Sequence, residues 1–247
     1  LSRRLESVLP SPSQLAWYVC IRTMRRWAGQ LSEREIVKRT ELFSSRVAGL
    51  CGRPAQPFVA MGRGLVQTVY YRTRRIRIAE RLDGASKTKW EKFQTEAGAY
   101  PRAVFVSAHL GPFQLQMDLL AQLPHQIMLL FRSYRWAPLA EEMDLLRLKA
   151  DRFHYVDVSR KREISKSLEQ GLSIALLGDL SVRPGNLELF GLPILDDFPA
   201  RIAARLAAPI FVGGIFNTPA ARSFGLDYFL IPPSDPASMR LDYAAAM

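Results

Sequence analysis

Hydrophobic and polar positions alternate with one period in the first hundred residues of this chain and with another beyond them. Leu15 to Trp27 (LAWYVCIRTMRRW) is a short apolar body closed by Arg22, Arg25 and Arg26, which predicts a helix. From Ser32 to Leu50, apolar Ile36, Leu42, Phe43, Val47 and Leu50 recur near helical spacing. Ser32 with Glu35 three residues on has the form of a capping box. Gly52 and Pro54 break the pattern, and a further helix is expected from about Val59 to Leu82.

From Arg102 the pattern becomes that of alternating strands and helices. Strands are expected at Ala103–Ala108, Gln126–Phe131, Phe153–Val158, Leu172–Leu177 and Pro209–Phe216, with an extended stretch at Asn186–Phe190 and an edge at Asp227–Ile231. Helices are expected after Pro112 to about Leu123, then at Pro138–Ala150, Lys161–Gln170 and Ala200–Ala207. Short apolar strands alternating with helices imply an α/β fold with a mixed, mostly parallel central sheet flanked by helices. The first hundred residues add a basic, mainly helical region. Neither a repeat nor a linker divides the 247 residues, so one domain is expected, with residues 101–247 as its α/β part.

Composition changes this picture through charge. Apolar residues make up 48% of the chain, ample for a packed core, and 23% charged residues is ordinary. The balance is not: 34 Lys and Arg against 23 Asp and Glu leave +11. Such an excess favours anionic partners, among them anionic lipid, nucleic acid, a phosphorylated cofactor or an acidic carrier protein. Nucleic acid ranks below the others, because the basic residues read as dispersed and no nucleic-acid-binding signature occurs. Arg72, Arg74, Arg75 and Arg77 form a cationic patch, read as a solvated face with anion binding as the alternative. Cys20 and Cys51 make no disulfide framework, which suits a reducing compartment. No apolar run reaches the ~18 residues of a spanning helix, and the start lacks the pattern of a signal peptide. Leu15 to Trp27 suits a helix lying in a membrane interface, or equally one packed on a core.

Candidate chemistry centres on one histidine of three. His125, in a turn after Pro124, and His154, opening a strand, read as structural. His109 stands where a buried strand ends and a helix begins, where α/β sheets present reactive groups. Gly111 beside it permits close approach to the backbone. Ser107 lacks the G-x-S-x-G setting of a nucleophile. No metal-ligand spacing occurs.

The string Val106-Ser107-Ala108-His109-Leu110-Gly111-Pro112-Phe113-Gln114 resembles the H-x4-D/E block of lysophospholipid acyltransferase-like enzymes, in particular the lipid A lauroyl and myristoyl (late) acyltransferases, where His-x-Gly-Asn-Trp-Glu is typical. The likeness continues in order. Phe131-Arg132 with Pro138 and Arg147 is similar to the family's arginine-bearing segment. Leu168 to Asp179 (LEQGLSIALLGD) resembles its block ending in aspartate. Arg183-Pro184-Gly185 falls at its basic turn, Phe190-Gly191-Leu192-Pro193 at its F-G-x-P element, and Ala200 to Val212 at its closing helix and strand. The quoted segments run from residue 106 to residue 212, within a likeness that covers about residues 60 to 216.

The resemblance implies a peripheral enzyme on the cytoplasmic face of the inner membrane. It would transfer a fatty acyl group from an acyl-carrier protein or coenzyme A thioester to a hydroxyl of a lipid or glycolipid. No bound cofactor is implied, and no nucleic acid. His109 would be the general base, with Gly111, Phe113, Arg132 and Arg183 on the substrates; Arg135 is a further phosphate-clamp candidate. The sequence departs from the family at Gln114, where a carboxylate is expected. A glutamine can set the histidine's tautomer but cannot supply the charge that raises its proton affinity. Three readings follow: an altered mechanism, a substitution that traps a complex, or a retired site. Asp118 and Asp179 are the alternative carboxylates. The competing functions are a catalytically impaired lipid- or acyl-binding scaffold, and the same transfer onto a soluble metabolite.

Overall fold

Residues 12–50, 55–107, 112–131, 137–148, 150–177, 187–189, 192–195, 197–218 and 223–246 are described by a computed structural model. Two compact units divide the chain, a helical one (Leu1–Ile76 with Arg132–Leu148) and an α/β one (Arg77–Phe131 with Lys149–Met247). Residues 84–98 thus fold with the sheet, and residues 132–148 with the helices.

In the helical unit, α1 (Pro12–Gln30), α2 (Glu33–Leu50), α3 (Ala55–Arg74) and α6 (Ala137–Leu146) share one apolar core. Ile21, Met24 and Ala28 project from α1 at helical spacing onto Ile36, Val66, Val69 and Leu139. The capping box forms as its spacing predicts: Ser32 N donates to Glu35 Oε2 at 3.1 Å, and Glu35 N donates to Ser32 Oγ at 3.4 Å. Arg25 pairs with Glu142, and Tyr71 donates to Glu33. Helix α3 ends at Arg74, well short of Leu82. Arg75 turns left-handed (φ 55°), and Ile76 N reaches back to Tyr71 O at 3.0 Å, closing the helix in a Schellman turn without glycine. Arg74 of the cationic patch has structural work, because its Nε and Nη2 donate to Ala28 O and Gly29 O at the end of α1.

The α/β unit is built on a six-stranded sheet in the order β3-β2-β4-β1-β7-β8. Strands β1 (Val104–Ser107), β2 (Ile127–Phe131), β3 (Phe153–Asp157), β4 (Ser173–Leu177) and β7 (Ile210–Asn217) run parallel, and β8 (Phe224–Ile231) runs antiparallel along β7. The expected edge at Asp227–Ile231 is therefore the second half of a longer strand. A separate hairpin joins β5 (Leu187–Leu189) to β6 (Leu192–Leu195), so Leu192-Pro193 of the F-G-x-P element lies in β6.

Every residue of β1 is buried, because both faces of the sheet are covered. Val104, Val106, Ile210 and Val212 pack beneath α7 (Lys161–Glu169), α8 (Phe198–Leu206) and α9 (Pro236–Ala246). Phe105 and Phe211 face the other way, onto Phe93 of α4 (Gly84–Gly98). The sequence reading did not set out α4 or α9 as separate elements, although each has a cap. Asp83 accepts from Ser86 N at 2.7 Å, and Asp235, before Pro236, accepts from Ala237 N and Ser238 N. Helix α7 closes on Gly171 (φ 83°), where Leu172 N reaches Ser167 O, which is the physical role of glycine in Leu168-x-x-Gly171. Ser86 Oγ accepts Leu226 N, and Asp83 N donates to Phe224 O, so the start of α4 covers part of the β8 edge.

Candidate active site at the carboxyl ends of β1 and β4

The ladder between β1 and β4 runs from Val104↔Ile174 to Ser107↔Leu177. His109 follows Ser107 by two residues, and Asp179 follows Leu177 by two. The chain leaves β1 toward β2 on one side of the sheet and leaves β4 toward β7 on the other. Each connection passes the neighbouring strand, β1 to β2 beyond β4 and β4 to β7 beyond β1, so the strand order reverses between them, and such a reversal is where open α/β sheets bind ligands. His109, Gly111, Asp179 and Arg183 themselves lie outside the described residues, as do Arg132 and Arg135. Arg132 directly follows Phe131, the last residue of β2, and opens the segment that folds with the helical unit.

Phe113 and Gln114 lie on a 3-10 turn, Phe113–Leu115, that leads into α5 (Gln116–Leu120); Gln114 is half-buried. Asp118 sits half-buried on α5, one turn beyond. Leu115 and Leu119 are fully buried and anchor the turn and the helix. Ser107 is 6% exposed and faces the same side of the sheet as Phe105.

The other histidines are placed as structural groups. His125 Nε2 lies 3.1 Å from Ala97 O, an acceptor only, so Nε2 carries the proton. Its Nδ1 then accepts from Ser173 Oγ at 3.0 Å, and Ser173 Oγ accepts from Ala103 N. This chain ties the end of α4 to the starts of β1 and β4. Burial holds the His125 pKa below the usual histidine value, and the nearby Arg152 charge acts in the same direction against the Ala97 hydrogen bond. His154 is exposed and pairs with Gln126 Oε1.

Sequence reasoning missed the groups that line the sheet face beside Ser107. Gln116 is 8% exposed, and its Oε1 has no hydrogen-bond partner among the described residues. Trp90 and Phe93 stack at 5.3 Å, Phe93 meets Phe211 edge-on at 5.0 Å, and Tyr228 closes the group while donating to Glu96 Oε2 at 2.6 Å. Burial and the Glu96 carboxylate push the Tyr228 hydroxyl pKa up. Gly213-Gly214 in β7 was the available signal, since paired glycines inside a buried strand mark close approach.

Charge is divided unevenly between the units. The helical unit carries 17 Lys and Arg against seven Asp and Glu, a net +10 of the chain's +11. The basic residues are dispersed along the sequence but not between the folded units. Exposed on one stripe of α1 are Leu15 (48%) and Val19 (53%), followed by Arg22 and Arg26. Among the described residues, no helix is long and apolar enough to cross a membrane.

By class, the α/β unit is an open, mostly parallel sheet whose central strands lead into the segments bearing the candidate residues. No protein-family model matches the sequence, and no curated protein matches it.

Proposed function

We propose that this chain is an acyltransferase that moves a fatty acyl group from an acyl-carrier protein or coenzyme A thioester to an acceptor hydroxyl, with His109 as general base. The observation that carries this reading is the pairing of Ser107 with Leu177, because the two segments leaving these strands carry His109 and Asp179. In the reaction, His109 removes the hydroxyl proton as the oxygen attacks the thioester carbonyl. Backbone amides near Gly111 stabilise the oxyanion. Its collapse breaks the C–S bond, and the departing thiolate takes the proton from the imidazolium. Asp179 supplies the negative charge that Gln114 cannot, holding up the proton affinity of His109. Arg183 binds a phosphate of the donor.

The acceptor is a lipid or glycolipid, and the enzyme works at the anionic cytoplasmic surface of a membrane. Two features support this: the +10 of the helical unit, and the exposed Leu15–Val19 stripe continued by Arg22 and Arg26. Gln114 favours a second reading, in which the chain binds acyl groups or lipid without turnover, as a scaffold.

The test is release of free thiol from a panel of acyl-carrier-protein and coenzyme A thioesters, with lipid and soluble acceptors, by the wild-type chain and by His109→Ala. Turnover dependent on His109 and on a lipid acceptor is the expected result. No thiol release with any pair, together with retained acyl-thioester binding, would leave the scaffold reading standing. Turnover with soluble acceptors alone would move the acceptor to that class.

A further inference from the structure

Helix α2 turns one side into the core of the helical unit and the other outward. Ile36 and Thr40 are buried, and Glu33 accepts from the Tyr71 hydroxyl. On the outward side Arg34, Lys38, Leu42 and Arg46 are all exposed. Steps of four residues place them in one continuous row about 18 Å long. Leu42, 55% exposed, stands inside this row with cations before and after it. Arg39, also exposed, lies beside the row. Glu35, the acidic residue exposed on this side, is drawn back to Ser32 by the capping box. The face therefore presents four cations and one carboxylate around an exposed aliphatic side chain.

This face adjoins the exposed stripe of α1. The Arg39 guanidinium lies 5.6 Å over the Trp27 ring, and Trp27 follows Arg26, which ends the stripe of Leu15, Val19, Arg22 and Arg26. Both helices thus set aliphatic side chains among cationic ones. Anionic lipid matches this pattern, with phosphates level with the cations and hydrocarbon beneath them for the aliphatic groups. Nucleic acid offers the phosphates without the hydrocarbon.

We infer that the outward face of α2 is a second membrane-contacting surface, whose partner is an anionic bilayer. The two helices divide the contact. Leu15 and Val19 of α1 supply most of the apolar insertion, whereas Arg34, Lys38, Arg39 and Arg46 of α2 supply the larger share of charge. Leu42 enters the headgroup layer among these cations. The inference rests on the membrane reading proposed above and extends it from α1 to α2.

The experiment sediments the full chain with vesicles of phosphatidylcholine alone and of equal parts phosphatidylcholine and phosphatidylglycerol. With Arg34→Gln, Lys38→Gln and Arg46→Gln combined, binding to the anionic vesicles at low salt should fall roughly a hundredfold, since each cation at such a surface contributes about fivefold. Removing the same charge from exposed positions of α7, by Lys161→Gln, Arg162→Gln and Lys166→Gln, should change it by no more than about twofold, because charges beyond the screening length contribute little. Leu42→Ser should weaken binding at every salt concentration. In the wild type, hydroxyl-radical labelling of Leu42 should fall with anionic vesicles and not with neutral ones. That measurement needs no variant, so poor folding of a substituted chain would not shield the idea. Equal losses from the α2 and α7 sets would show that net charge alone matters, and overturn the inference. Undiminished binding of the α2 variant overturns it too, as does unchanged labelling of Leu42. If Leu15→Ser with Val19→Ser then still abolishes binding, the membrane reading stands without α2. Failure of the wild type to bind anionic vesicles removes both.

Discussion

Ser107 on β1 and Leu177 on β4 are Cα partners, the last pair in the parallel ladder between these two central strands. Adjacent strands lie about 4.8 Å apart, so the chain segments that follow start as close neighbours. One carries His109 and the other Asp179. If His109 is the base, His109→Ala should lower thioester-dependent transfer by at least ~10²-fold, the lower scale for losing a general base. Asp179→Asn should lower kcat by a comparable factor and shift the acidic limb of the kcat/KM profile downward, because the histidine loses its anionic neighbour. Near-normal turnover by a folded His109→Ala variant would remove this histidine from the mechanism.

Gln114 gives the converse experiment. It lies on the 3-10 turn at the start of α5, in the position where the resembled family carries its carboxylate. Gln114→Glu returns a negative charge at the same side-chain length. If the Gln114 position serves His109, activity should rise, and with Asp179→Asn present the substitution should restore part of the loss. An unchanged rate in both backgrounds would show that the position no longer acts on the histidine.

Membrane attachment should depend on α1. Binding to vesicles containing anionic lipid is expected to fall as salt rises, because surface charges are screened over about 10 Å at 0.1 M. Replacing Leu15 and Val19 by Ser should weaken binding at all salt concentrations, and replacing Arg22 and Arg26 by Gln should flatten the salt dependence. Co-sedimentation measures both. Equal binding to neutral and anionic vesicles would exclude an electrostatic contact.

His125 makes stability depend on pH. Its folded pKa is depressed by burial, so between that value and the ordinary ~6.5 the unfolded chain binds the extra proton. Stability should therefore decline as pH falls below ~6.5 and level off once the folded histidine has titrated. Thermal melts from about pH 7.5 to 5 should show a shallower slope in His125→Gln than in the wild type. Parallel slopes would assign the pH dependence to other groups.

Neighbouring glycines in β7 should differ sharply in how well they tolerate a side chain. A Cβ on Gly213 would lie 2.4 Å from Asp227 O and 2.7 Å from Tyr228 Cβ, so the β7–β8 pairing must shift to admit it. Gly213→Ala should cost about 1–3 kcal/mol by chemical denaturation, the scale of overpacking. Gly214→Ala, with no contact closer than 3.4 Å, should cost far less. Similar midpoints for the two variants would contradict this account of the strand.

Much of the local structure was legible in the sequence because it depends on neighbouring residues. The capping box at Ser32 and Glu35, the buried run of β1 and the glycine that ends α7 all act within a few positions. The α/β class and its mostly parallel sheet followed from such patterns. Helix α3 shows where this stops: its apolar spacing runs on past Arg74, yet the chain turns at Arg75, an arginine in a conformation that usually signals glycine. Strand order leaves no local mark either. That β4 inserts between β1 and β2, bringing Leu177 beside Ser107, is decided by how long-range pairings bury both faces at once. The same holds for Gln116, an unremarkable polar residue in sequence, which the fold buries beside Gly214 of β7 with its side-chain oxygen unpartnered among the described residues. Charge was countable from the start. Its concentration on the helical unit emerged only when residues 132–148 were found to fold with residues 1–76, since membership of a unit is set by packing rather than by position along the chain.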